Sequence, residues 1–168
     1  MQDNTKVFGI LEITERNTET GEILFKHKDK NIITAVGMNQ IRRSFTDSSH
    51  VNEYVSTVSL GSDTGGGTIL NPTMPTVSIT SAAHSPVYEV PVGEFFISYP
   101  TDSSVRFFAT VNGNTVMSLY PGTVNVVYTS AMLKTASNKA FCYRRFSGRT
   151  ISALISVDIS WTIEFSQS

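Results

Sequence analysis

The sequence predicts an all-β protein: an antiparallel β-sandwich, jelly-roll or immunoglobulin-like, with at most one short helix near residues 34–45. Three observations lead there. From Ile151 to Phe165 every second residue is apolar (Ile151, Ala153, Ile155, Val157, Ile159, Trp161, Ile163, Phe165). Small or polar side chains stand between them, and only Leu154 breaks the pattern. Successive strand residues point to opposite faces, so this segment is a strand with one apolar and one polar face. Shorter alternating runs recur through the chain, separated by turn signals such as Asn112-Gly113, Pro121-Gly122 and Ser147-Gly148. Pro72, Pro75, Pro86, Pro91 and Pro100 punctuate the middle, which suits edge strands and loops rather than helices or central strands.

The elements follow in order. Val7, Gly9, Leu11 and Ile13 alternate, Thr14 to Gly21 is polar, and Ile23 to Phe25 are apolar, which predicts a hairpin. Lys26, His27, Lys28, Asp29 and Lys30 read as a solvated loop. Asn31 to Ser44 is the helix candidate: Thr34 can cap it, and Val36, Gln40, Ile41 and Phe45 give a loose helical spacing, although Gly37 disfavours it. Tyr54, Ser56, Val58 and Leu60 mark a strand that runs into a glycine-rich loop from Gly61 to Gly67. Short apolar pieces follow at Val77 to Ile79, Val87 to Val92 and Phe95 to Ile97. Val105 to Val111 alternate and, across Asn112-Gly113, pair with Val116 to Leu119 as a second hairpin. Val124 to Thr129 and Lys139 to Phe146 are further strands. At about 3.3 Å per residue the terminal segment runs about 50 Å, so it is expected to bend or to serve two sheets.

Composition narrows the function classes. The 168 residues fit one domain, 1–168, large enough for a core of its own. Thirteen Lys and Arg against 14 Asp and Glu leave a formal charge of -1, which argues against a dedicated nucleic-acid binder. Charged residues make up 16% of the chain, so close contact with protein neighbours desolvates little charge. Cys142 is the only cysteine and forms no internal disulfide. Met1 to Lys6 is polar and no run approaches a membrane span, so the expectation is a soluble protein made without a secretion signal and without a membrane partner.

No catalytic constellation stands out, and neither a cofactor nor a metal is expected. His27, His50 and His84 lie in separate polar stretches without ligand spacing. Gly61 and Gly66 have phosphate-loop spacing, but Gly67 stands where that loop needs Lys, and Asn71-Pro72 follows where a helix should start. Cys142 lies between Phe141 and Tyr143 and reads as a buried strand cysteine. Glu89 and Glu94 are the one conceivable acid–base pair, and two acids in a β-rich chain are expected by chance. Tyr143, Arg144, Arg145, Phe146 and Arg149 form the most suggestive cluster; with a near-neutral chain it reads as a protein interface rather than a nucleic-acid one. Alternation sends Arg144 and Arg145 to opposite faces.

The order of these features resembles a group of small tailed-bacteriophage virion proteins. It is carried by the early hairpin, Asn31-Ile32-Ile33-Thr34 before Gly37, Val58-Ser59-Leu60-Gly61 before the glycine-rich loop, and Val105 to Val111. The strand Phe141 to Phe146 and the ending Val157-Asp158-Ile159-Ser160-Trp161-Thr162-Ile163-Glu164-Phe165 complete it. The chain departs from the group by carrying Tyr128 to Leu133 where Glu-Ile-Gly-Leu is usual. The resemblance implies a β-sandwich assembled in the host cytoplasm into the virion, as a neck, collar, tail or fibre-attachment piece or a head decoration. Its partners would be other virion proteins and copies of itself. The contacts are expected in the proline-punctuated segment from Asn71 to Tyr99, with Pro72, Pro75, Pro86 and Pro91, and at Arg144, Arg145 and Arg149. The rival expectation is a module that binds host surface glycan through Tyr88, Tyr99 and Tyr120.

Overall fold

In the computed structural model, which describes residues 5–44, 54–63 and 84–167, the alternating C-terminal segment lies in the middle of a sheet. In chain order the elements are β1 (Thr5–Asn17), β2 (Ile23–Ile33), α1 (Ala35–Ser44), β3 (Val55–Asp63), β4 (His84–Pro91) and β5 (Phe96–Ser98). Then come β6 (Ser104–Asn112), α2 (Gly113–Leu119), β7 (Val126–Thr135), β8 (Ala140–Ile151) and β9 (Ile155–Gln167). One antiparallel sheet has the order β2-β1-β9-β6-β5 and the other β4-β3-β7-β8. The end of β2 crosses between them, pairing Ile32 with Tyr143 and Ile33 with Cys142, so the nine strands share one hydrogen-bonded order folded into a sandwich.

The core follows from alternation. Val157, Ile159, Trp161 and Ile163 of β9 are buried, with Leu11 and Ile13 of β1 and Phe107, Ala109 and Val111 of β6 beside them. Val58, Leu60, Ala131, Leu133 and Cys142 supply the facing layer. Each large apolar side chain withdrawn from water contributes about 1.5–3 kcal/mol. Ser156, Asp158, Ser160, Thr162 and Glu164 are half-buried on the opposite face of β9. There Asp158 accepts a hydrogen bond from Thr110 at 2.8 Å and pairs with Arg16 at 3.1 Å.

The helix near residue 34 forms where its cap predicts. Gly37 N donates to Thr34 Oγ1 at 3.0 Å, while the Thr34 hydroxyl reaches the β8 carbonyls of Ala140 and Phe141, which ties the helix to the sheet. A Cβ on Gly37 would stand 2.3 Å from Phe141 O, so the glycine that weakens the helix permits its close approach to β8.

The structure corrects several expectations. The described residues hold two helices, not one at most: Gly113–Leu119 is α2 rather than the second arm of a hairpin. Asn112, read as a turn residue, is its N-cap, and its side chain accepts from Asn114 N at 2.9 Å. A short apolar run such as Val116 to Leu119 fits either state, and the cap decides. Lys26 to Lys30 is not a loop but the middle of β2, where Phe25, His27 and Asp29 are half-buried and the three lysines exposed. The terminal segment does serve two sheets, yet it divides at its start. Ile151 ends β8 in one sheet, Ser152 to Leu154 turn, and β9 begins in the other, so the break at Leu154 marks the crossing. Pro72, Pro75, His50, Phe45, Gly65 to Gly67 and Val77 to Ile79 lie outside the described residues.

Candidate contact surface at the sheet edges

Both terminal strands of the nine-strand order, β4 and β5, come from the proline-punctuated segment. On β4, Pro86 and Pro91 are exposed, as edge prolines are, because neither has an N–H to offer a neighbour. Strand β5 is different in kind. Phe96 is 73% exposed, Ile97 48%, and Tyr99 just beyond it 77%, with Val92 exposed beside them through its bridge to Phe95. The underside of this edge is anchored: Phe95 is buried against Phe107, their rings 6.1 Å apart and nearly edge-on. The edge is thus an apolar ledge tied to the core through Phe95.

Each arginine of the cluster is paired with a carboxylate of its own chain. Arg144 pairs with Asp29 of β2, and Arg149 grips Glu15 of β1 through both Nε, at 2.9 Å, and Nη2. Both pairs run from one sheet to the other. Glu15 is 1% exposed and also accepts from the Tyr128 hydroxyl, and the Arg149 guanidinium lies 4.0 Å from the Phe25 ring centroid. This carboxylate raises the Arg149 pKa above its ordinary value. Arg145 pairs with Asp63 at 3.2 Å, where the Tyr143 hydroxyl also donates at 3.0 Å. Arg144 and Arg145 do diverge, as alternation requires, but toward carboxylates of their own chain. Arg144 and Arg149 are therefore clamps between the sheets, whereas Arg145 ties β8 to β3 within one sheet and stays half-exposed.

The three tyrosines separate likewise. Tyr88 and Tyr120 pack against the core, Tyr120 donating to Val87 O at 3.0 Å, whereas Tyr99 alone presents its ring to solvent.

The group of residues that most resembles a reactive site was not legible in the sequence. His84 is not in a polar loop; it opens β4 and is buried at 3% exposure. Its Nε2 lies 2.7 Å from Ser59 Oγ and its Nδ1 2.8 Å from Ser130 Oγ, while Ser59 Oγ donates to Glu89 at 3.3 Å and Lys134 pairs with Glu89. Gly61 makes room for the ring, since a Cβ there would stand 2.6 Å from His84 Cε1. One donor order satisfies the set: Nε2–H to Ser59, Ser59 to Glu89, and Ser130 to Nδ1. Burial lowers the His84 pKa to about 4, so the ring is neutral near pH 7. Ser59 and Ser130 are fully buried, which makes the network an internal brace rather than a substrate site. Cys142 is buried too, and desolvation pushes its thiol pKa up. Glu89 is committed to Lys134 and Ser59, while Glu94 is exposed at the β4–β5 turn. His27 lies in β2, near Phe25 and Phe146. Among the described residues no three His, Cys, Asp or Glu side chains are placed to hold a metal ion.

No family model, curated protein or solved structure matches this chain.

Proposed function

We propose that the chain is a structural component of a tailed-bacteriophage particle, joined to other virion proteins and to copies of itself at the neck, collar or tail. The observation that carries this reading is the β5 ledge, an edge strand with β6 as its one partner among the described residues, where Phe96, Ile97 and Tyr99 face water with no charge among them. A protein working alone blunts such an edge with charge, proline or a covering loop, because it templates association. A protein built into a particle uses it. The sequence resemblance to virion proteins points the same way, and head decoration is the alternative position in the particle.

One observation favours a second reading. Tyr99 is exposed in a stretch whose neighbours in sequence, Ser98, Thr101 and Ser103, are exposed and carry hydroxyls, the residue types of a sugar site. Two measurements separate the readings. If the chain is structural, quantitative mass spectrometry of purified particles finds it in a fixed ratio to the major virion proteins, and a glycan array finds no ligand. Glycan binding that is lost on Tyr99→Ala, with the chain absent from particles, would instead establish the binding module.

A further inference from the structure

Two hydrogen bonds donated by backbone N–H groups, one to a carbonyl and one to a carboxylate, show which groups each outer strand of the five-stranded sheet offers. Phe165 N donates to Ser103 O at 2.9 Å, so the odd residues of β6 point their backbone groups at β9 and the even ones at β5. Phe96 and Ser98 therefore bond to Phe108 and Arg106, and the N–H and C=O of Ile97 between them point outward. At the opposite edge, β2 from Ile23 to Asn31 pairs only with β1 among the described residues. There Lys30 N donates to its neighbour Asp29 at 2.8 Å, so the even residues, the exposed lysines 26, 28 and 30, are the outward ones.

The edges differ in what they admit. A twofold axis at a strand edge sets each residue beside its own copy or its mirror position, so a charge near the axis meets a like charge. Strand β2 carries Lys26, Lys28 and Lys30, and one of its free N–H groups is already satisfied; β4 carries Pro86, Pro91 and Glu89. From Phe95 to Thr101 there is no charged residue. We infer that β5 pairs antiparallel with β5 of a second copy about a twofold axis at Ile97, making one ten-stranded sheet from two five-stranded ones. The inference rests on the reading of β5 as a contact edge. The axis passes between the two Ile97 residues, which exchange N–H···O=C bonds, and Phe96 then lies across from Ser98 of the second copy and Tyr99 across from Phe95. The outer and inner faces stay continuous, because a twofold normal to the sheet reverses strand direction without exchanging faces.

The strength follows from the area. Two aromatic side chains about three-quarters exposed, with Ile97 and Val92, offer on the order of 400–500 Å² per copy, against about 800 Å² in a stable interface. The isolated protein should therefore dimerise weakly and in a concentration-dependent way, with neighbouring contacts reinforcing the pair in a particle.

The test uses the full chain. Light scattering across micromolar to millimolar concentrations should show the mass rising from 18.4 kDa toward twice that value. Ile97→Lys, with unchanged circular dichroism, should raise the dimer dissociation constant at least about tenfold. Hydrogen exchange on the unmutated protein supplies a readout that needs no variant: the Ile97 amide should gain protection as concentration rises, while the outward Lys28 amide on β2 stays unprotected. A monomer at every concentration would overturn the inference, as would a dimer that survives Ile97→Lys or leaves the Ile97 amide exchanging freely. None of these outcomes bears on whether the chain is found in particles, so the virion reading stands or falls separately.

Discussion

Trp161 is the residue on which the alternating reading of β9 is most exposed to test. It is fully buried, and its indole N–H has no hydrogen-bond partner among the described residues. Trp161→Ala should cost about 3–5 kcal/mol in urea unfolding. Trp161→Phe should cost much less, because it keeps most of the volume and removes an unsatisfied donor. Ser160→Asp, on the half-buried outer face, should change stability little; a large loss there would show the facing to be wrong. His84 gives a pH signature. Its folded pKa is about 4, below the unfolded value of about 6.5, so below pH 6.5 the unfolded chain binds the extra proton first. The stability contribution is complete above about pH 6.5 and is lost as pH falls toward 4, by about 3 kcal/mol in all. Lys134, Glu89 and Asp63 face the ring and modulate that slope. His84→Gln should flatten the stability curve in this window. Trp161 was legible because burial of an alternating strand is a local pattern. His84 was not, because its partners Ser59 and Ser130 are 25 and 46 residues away and only the sheet brings them to the ring.

At the scale of elements, what the sequence conveyed was periodicity and capping, and what it hid was pairing across sheets. The hairpin of β1 and β2, the Thr34-capped helix, and β6 and β9 were visible as patterns. Thr34→Ala should cost about 1–2 kcal/mol, since the hydroxyl caps α1 and also bonds to β8. The strand character of Lys26 to Lys30 was hidden because its half-buried residues, Phe25, His27 and Asp29, include only one apolar side chain. The burial of His27 and Asp29 depends on Phe146 and Arg144 across the sandwich. The arginines illustrate the same limit: a Tyr-Arg-Arg-Phe run followed by Arg149 reads as a surface until the partner carboxylates are found on β2, β3 and β1. Removing Arg149 strands the buried Glu15 charge. Arg149→Ala should therefore destabilise by about 2–3 kcal/mol, below the full penalty for a buried pair because Arg149 is one-third exposed. Glu15→Gln in the same chain should recover part of the loss, which denaturant titration of the single and double variants would measure.

For the whole molecule, the sandwich class was legible from alternation, turn signals and prolines together, whereas the position of the free edges was not. Sequence places the prolines in one segment; only topology shows that this segment supplies both terminal strands of a nine-strand order. It also shows that one of them, β5, is short but carries neither charge nor proline and has no covering element among the described residues. The function proposed here follows from that asymmetry between guarded and unguarded edges. The most direct measurement is incorporation: particles assembled with the unmutated chain, or with a Phe96→Glu/Tyr99→Glu chain of equal stability, are purified and their composition quantified. The unmutated chain should be present in a fixed ratio and the double variant depleted about tenfold or more, a loss of at least about 1.4 kcal/mol in assembly free energy. Incorporation of the double variant at the unmutated level, or absence of the unmutated chain from particles, would contradict the account.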